Sequence, residues 1–182
     1  MSFNNDQFVL SKRVDLLYRN IRLGQIISIL NASLLLWISS ATALPAARFS
    51  AVTGWWIVAT IAAGSRILLA KRYFSTNSAK REQDAAQRRK YAITGAGASG
   101  FIWACGALTL MIDTNLPLQL YTAFAMAGTV AAAVPVLAAD RLAFRVYGWP
   151  IVLAVAIGSL GSDPLHIAFS TMSFLFLLMA TR

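Results

Sequence analysis

Six stretches of 17 or more residues, almost free of charge, decide what this chain can become: residues 23–44, 49–70, 92–112, 116–139, 142–160 and 164–180. A helix needs about 20 apolar residues to cross roughly 30 Å of hydrocarbon, so each run is long enough to span a bilayer. Arg66 interrupts the second run and Arg145 lies near the start of the fifth. Charged residues make up only 13% of the chain, against 58% hydrophobic ones, and a soluble globule needs about 25% to clothe its surface. The expected fold is all-α, an integral membrane protein of six transmembrane helices arranged as three hairpins.

Pro45, Pro117 and Pro164 stand near helix starts in three short connections, where a missing N–H costs nothing. The long connection, residues 71–91, is polar and reads as a basic loop. Lys and Arg sort strongly: four lie before the first run, seven in the loop, two after the fourth run and one at residue 182, against Arg48 alone at the hairpin tips. With Arg66 set aside, fourteen against one places both ends of the chain in the cytoplasm. The same sorting accounts for the net charge of +9 without nucleic acid as a partner. Leu10, Val14, Leu17 and Ile21 recur at helical spacing within residues 1–22, which predicts a short amphipathic helix lying on the inner leaflet before an uncleaved first span. The transmembrane domain is then 23–182.

The string from Thr94 to Gly100 satisfies G-x-G-x-x-G. A dinucleotide site needs that turn between a strand and an amphipathic helix, with an acid about 20 residues on. Here an all-round apolar run follows, so the glycines read instead as a packing seam of small residues four apart. Ala96, Gly100 and Ala104 form it on the third span and Ala123, Ala127 and Ala131 on the fourth, which predicts that these two helices pair closely. Pro135 is expected to bend the fourth span. Asn31, Ser33, Arg66 and Trp103 are the candidate ligand-binding residues. Asn31 and Ser33 are uncharged polar groups near mid-membrane, suited to inter-helix hydrogen bonds, and Trp103 lies away from the interfacial belt. Arg66 is five residues from Lys71, and its expected state is snorkelling to the headgroups, with ligand contact as the competing reading. Cys105 reads as a small buried hydrophobe.

One cysteine and one histidine give no basis for a disulfide or a multi-histidine metal site. No span holds an acid at depth, and no nucleophile–histidine arrangement is present. No catalytic residue, metal or cofactor is therefore expected.

The segments Leu16-Leu17-Tyr18-Arg19-Asn20, Leu30-Asn31-Ala32-Ser33-Leu34-Leu35, Arg66-Ile67-Leu68-Leu69-Ala70-Lys71-Arg72-Tyr73 and Phe101-Ile102-Trp103 resemble the N-terminal membrane region of bacterial GGDEF or EAL signalling proteins and hybrid histidine kinases. The resemblance implies a sensory input module in the bacterial inner membrane, working as a homodimer and reading a small apolar ligand or a membrane state. Its output domain would make or degrade cyclic di-GMP, or autophosphorylate. No GGDEF, EAL or kinase motif occurs in these residues, so no catalytic role transfers. The run Met179-Ala180-Thr181-Arg182 carries no helix stop signal, and the sixth helix is expected to continue into such a domain. A small transporter or channel component is the alternative, and a purely structural membrane subunit a third.

Overall fold

The computed structural model describes residues 2–42, 44–112 and 116–159, and beyond them residues 167, 168, 171, 172, 174, 175 and 178. Among the described residues all regular structure is helical: α1 (Ser2–Ala41), α2 (Ala46–Ser75), α3 (Ser78–Gln83), α4 (Ala85–Met111), α5 (Leu116–Leu137) and α6 (Arg141–Gly158). All but α3 are long and apolar enough to cross a membrane. Their outward faces carry large apolar side chains, among them Leu23, Leu30, Trp37, Ile61, Phe101 and Phe124, each more than 60% exposed. Water does not tolerate so extensive an apolar surface; hydrocarbon does. The expected sixth span, 164–180, lies mostly outside the described residues. Those described in it are helical where the chain is assigned, and the Phe174 ring meets Trp149 edge-on at 5.8 Å.

Two expected boundaries are corrected. Residues 1–22 do not form a separate interfacial helix, because α1 runs unbroken for 40 residues, about 60 Å at 1.5 Å per residue. The stripe at Val14, Leu17 and Ile21 is real, but all three are at most 3% exposed. They pack into the protein core and not onto a leaflet. The basic loop 71–91 is likewise helical almost throughout, broken only at residues 76–77 and 84. It contains neither glycine nor proline, and Lys, Arg, Glu, Gln and Ala are good helix formers.

Cross-helix contacts give the relative directions. Asp15 meets Tyr73 and Ser33 meets Trp56, so α1 and α2 are antiparallel. Asn20 meets Pro135 and Asn31 meets Thr129, which makes α5 antiparallel to α1. Arg89 meets Asp140 and Met111 meets Gly158, so α4 and α6 run parallel. Among the described helices this pair makes the most extensive packing. The small-residue seam of α4 therefore faces α6, correcting the expected pairing with α5. A Cβ on Gly100 would run into the Tyr147 backbone, and Ala96 and Ala104 are buried. Of the three seam alanines on α5 only Ala123 is buried; Ala127 and Ala131 face outward, which corrects their assignment to a close helix contact. Their four-residue spacing is shared with any helix face. Pro135 lies two residues from the end of α5, and its carbonyl accepts a hydrogen bond from Asn20 at 3.3 Å.

The end of the bundle that carries most of the basic residues is fastened by aromatic and charged side chains. Tyr18 and Tyr73 stack at 4.1 Å with an 8° interplanar angle. The guanidinium of Arg88 sits 5.1 Å from the Tyr73 ring centre and that of Arg81 5.5 Å. Asp15 accepts from the Tyr73 hydroxyl and pairs with Arg81 at 3.4 Å. One aspartate thus links α1, α2 and α3. At the turn between α5 and α6, Asp140 caps α6 by accepting from the amides of Leu142 and Ala143, and pairs with Arg89 of α4. Burial by itself raises the Asp140 carboxyl, but the hydrogen bond from Arg89, the two amides and the Arg89 charge hold it below the usual carboxylate range.

Candidate functional site

Arg66 lies nine residues before the end of α2, about 13.5 Å of helix. The expectation that it snorkels is overturned: it is 8% exposed and its Nη1 donates to Ser99 Oγ at 3.0 Å. The guanidinium lies along α4 where Gly95 and Ser99, one turn apart, present the same narrow face. Arg66 Nε is 3.6 Å from where a Cβ on Gly95 would stand. Snorkelling requires a free path to the interface along the outside of the bundle. Here α2 turns the side chain inward, and the rest of α2 beyond it remains helical.

Among the described residues no carboxylate forms an ion pair with Arg66; the ion pairs there join Arg81 to Asp15, Arg88 to Asp84 and Arg89 to Asp140. An arginine in a membrane helix costs up to about 2.5–3.5 kcal/mol, the full figure applying at the helix centre. One inter-helix hydrogen bond returns about 0.6–1.7 kcal/mol. The single Ser99 contact therefore leaves part of the cost uncompensated.

The guanidinium borders a cavity of about 40 Å3 shared by α1, α2, α5 and α6. A single water needs roughly 10–15 Å3 on this measure, so there is room for a few waters or one compact anionic group. Neutral polar side chains border the space: Gln25 and Ser28 from α1, Thr129 from α5 and Tyr147 from α6. Tyr147 is buried and has the Ser28 hydroxyl as a hydrogen-bond partner. Ile27, Ala132 and Val136 complete an apolar wall. The arrangement is one fixed cation, the hydroxyls of Ser28, Thr129 and Tyr147, the one amide of Gln25, and an aliphatic lining. It suits a carboxylate or phosphate group on a short apolar body, and it contains no arrangement of nucleophile and base.

The other sequence candidates sit elsewhere. Asn31 donates to Thr129 Oγ1 at 2.7 Å and to the Ala125 carbonyl at 3.3 Å, tying α1 to α5. It thereby positions Thr129, which lines the cavity. Ser33 accepts from Trp56 Nε1 at 3.0 Å, a contact between α1 and α2. Trp103 is 3% exposed and packs edge-on against Trp55 at 5.5 Å. Trp55 in turn donates to the Ile102 carbonyl at 2.7 Å. Trp103 is core, separated from the cavity by Gln25 and Ser28, which line both the Arg66 cavity and a smaller void against Trp103. Cys105 faces outward and is not buried as expected. Of the four sequence candidates only Arg66 borders the cavity, together with Gln25, Ser28, Thr129 and Tyr147, while Ser99 bonds the guanidinium. Sequence inspection missed these because each is a single polar residue in an apolar run. The available signal was that Gln25 and Ser28 are three apart on α1 and that Gly95 and Ser99 are four apart on α4, which places each pair on one helix face. Comparison of the chain with family models, curated proteins and solved structures found no match.

Proposed function

We propose that this protein is a membrane-embedded input module of bacterial signalling type that binds a small organic anion at Arg66 and responds by shifting α1 and α5 against α2, α4 and α6. The observation that carries the reading is a buried guanidinium without a carboxylate partner among the described residues, facing a cavity shared by four helices. An anion there compensates the guanidinium and touches groups from helices on both sides, so its binding free energy is spent on their relative placement. Displacements of about 1–2 Å between packed helices suffice for such switching. In this reading the chain lies in the inner membrane with six spans as three hairpins and its basic end cytoplasmic, acts as a homodimer, and performs no chemistry itself. The aliphatic lining keeps the small apolar body expected from the sequence and adds an acidic head.

The test is thermal unfolding of the purified protein followed by tryptophan fluorescence, with straight-chain monocarboxylates from acetate to octanoate and the matching alcohols. Ligand at a hundredfold its Kd stabilises by about 2.7 kcal/mol. Carboxylates are expected to raise the Tm and alcohols to leave it unchanged, with the response lost in Arg66→Gln. Equal shifts for acids and alcohols, or an undiminished shift in Arg66→Gln, would overturn the reading. A second reading, a small anion carrier, is favoured by the same buried charge, because membrane carriers place ionisable groups along the substrate path. Flux of the binding carboxylate into liposomes distinguishes it from a sensor, which binds without flux.

A further inference from the structure

At the basic end, away from Arg66, a groove of about 820 Å3 opens between residues 10–17 of α1 and the turn joining α5 to α6. Arg13, Arg89, Arg141 and Arg145 line it together with a single acid, Asp140. Asp140 is committed to Arg89 and to the cap of α6, so Arg13 and Arg141 add two positive charges to the lining beyond that neutral pair. Arg13 and Arg141 are exposed, and no carboxylate among the described residues forms an ion pair with either.

The rest of the lining is aliphatic, and one wall continues out of the groove. Leu16 lines it and is 51% exposed; Leu23 and Leu30 follow at seven-residue intervals, each 64% exposed. Seven residues are close to two helical turns, so the three leucines form a track of about 21 Å from the arginines along the outside of α1. A free anion has no use for such a track, whereas an acyl chain attached to a phosphate does. Basic pockets between membrane helices at this depth are suited to anionic headgroups.

We infer that this groove is a binding site for an anionic phospholipid, with the phosphate held by Arg13 and Arg141 and an acyl chain lying along Leu16, Leu23 and Leu30. The lipid would bridge α1 to the start of α6. The site does not depend on Arg66, and its test is independent of that reading.

The experiment is native mass spectrometry of the detergent-solubilised full chain with equimolar phosphatidylglycerol and phosphatidylcholine of identical acyl chains. Wild type is expected to retain phosphatidylglycerol preferentially. Arg13→Gln with Arg141→Gln should lower phosphatidylglycerol affinity about thirtyfold, the loss of two charges at a membrane surface, while phosphatidylcholine retention stays the same. Both positions are exposed, so the fold is not at stake. Lys71→Gln with Arg72→Gln, exposed basic residues outside the groove, and Arg66→Gln should leave the preference intact. Equal retention of the two lipids by wild type would overturn the proposal. So would a preference surviving in the groove variant, or displacement of the lipid by millimolar inorganic phosphate, which would make this a site for a free anion.

Discussion

Gly100 and Ala127 look alike in the sequence, each a small residue in a small-x-x-x-small series, and the structure gives them opposite environments. A Cβ at Gly100 would overlap the Tyr147 backbone, which cannot move aside without shifting α6. Gly100→Ala is therefore expected to cost about 1–3 kcal/mol, as overpacking does in a close-packed interior. Ala127 faces outward, and Ala127→Leu should change stability by less than about 0.5 kcal/mol. Parallel thermal melts in one detergent decide the pair; equal loss in both would mean that α5 packs through its outer face. Arg66 makes a third case at this scale. Replacing it with Gln removes a buried charge at the expense of one hydrogen bond to Ser99. The ligand-free variant is expected to gain about 1 kcal/mol, from the difference between the insertion cost and the bond. A ligand-free loss of stability would indicate a purely structural arginine.

At the scale of elements, the packing of α4 on α6 is open to a covalent test. A Cβ on Gly97 would lie 3.6 Å from the Cβ of Val146, inside the range of about 3.5–4.5 Å that a disulfide spans. Gly97→Cys with Val146→Cys, in a Cys105→Ser background, should cross-link on mild oxidation, whereas Ala104→Cys with Ala127→Cys should remain reduced. Mobility on a non-reducing gel reads the result, and the opposite pattern would restore the pairing of α4 with α5. The start of α6 carries a pH dependence. Because Asp140 is held below its usual range by Arg89 and two amides, it titrates lower in the folded chain than in the unfolded chain. Its contribution is complete above the unfolded value of about 3.9 and is lost as pH falls through the lower folded value. Wild type should lose stability below about pH 4, and Asp140→Ala should show a smaller acid loss from a lower starting point, with the missing cap costing about 0.5–2 kcal/mol. Melting curves between pH 3 and 7 check both. α1 shows the limit of periodicity: the spacing of Leu10, Val14, Leu17 and Ile21 identifies an amphipathic helix, but period alone says nothing of whether lipid or protein covers the stripe.

For the molecule as a whole, orientation in the membrane follows from where arginine and lysine are placed. The expected six-span topology puts fourteen basic residues on one side and Arg48 on the other, so a fluorescent reporter that folds only in the cytoplasm should be bright at residue 2 and dark when inserted at residue 45. The reverse pattern would turn the bundle over. The helices themselves were legible in the sequence because hydrocarbon demands long apolar runs with every backbone group satisfied internally; the described helices α5 and α6 begin within one residue of the expected spans at 116 and 142. The helical character of residues 71–91 was legible too, in the absence of glycine and proline, but polarity drew the reading towards a loop. The partners across helices were not legible. Small residues repeat on α4 and on α5, and the spacing is the same whether the face meets another helix or lipid. Only the placement of α6 beside α4 decides that Gly100 is crowded and Ala127 is not. Arg66 follows the same rule: the sequence set a charge within a span and fixed its distance from the basic end. The rotation of α2, set by how four other helices pack, decided that the charge points into a cavity with Tyr147, Ser28 and Thr129. A covalent chain determines period, length and charge distribution locally, whereas facing is a property of pairs of helices and comes into being only when they pack.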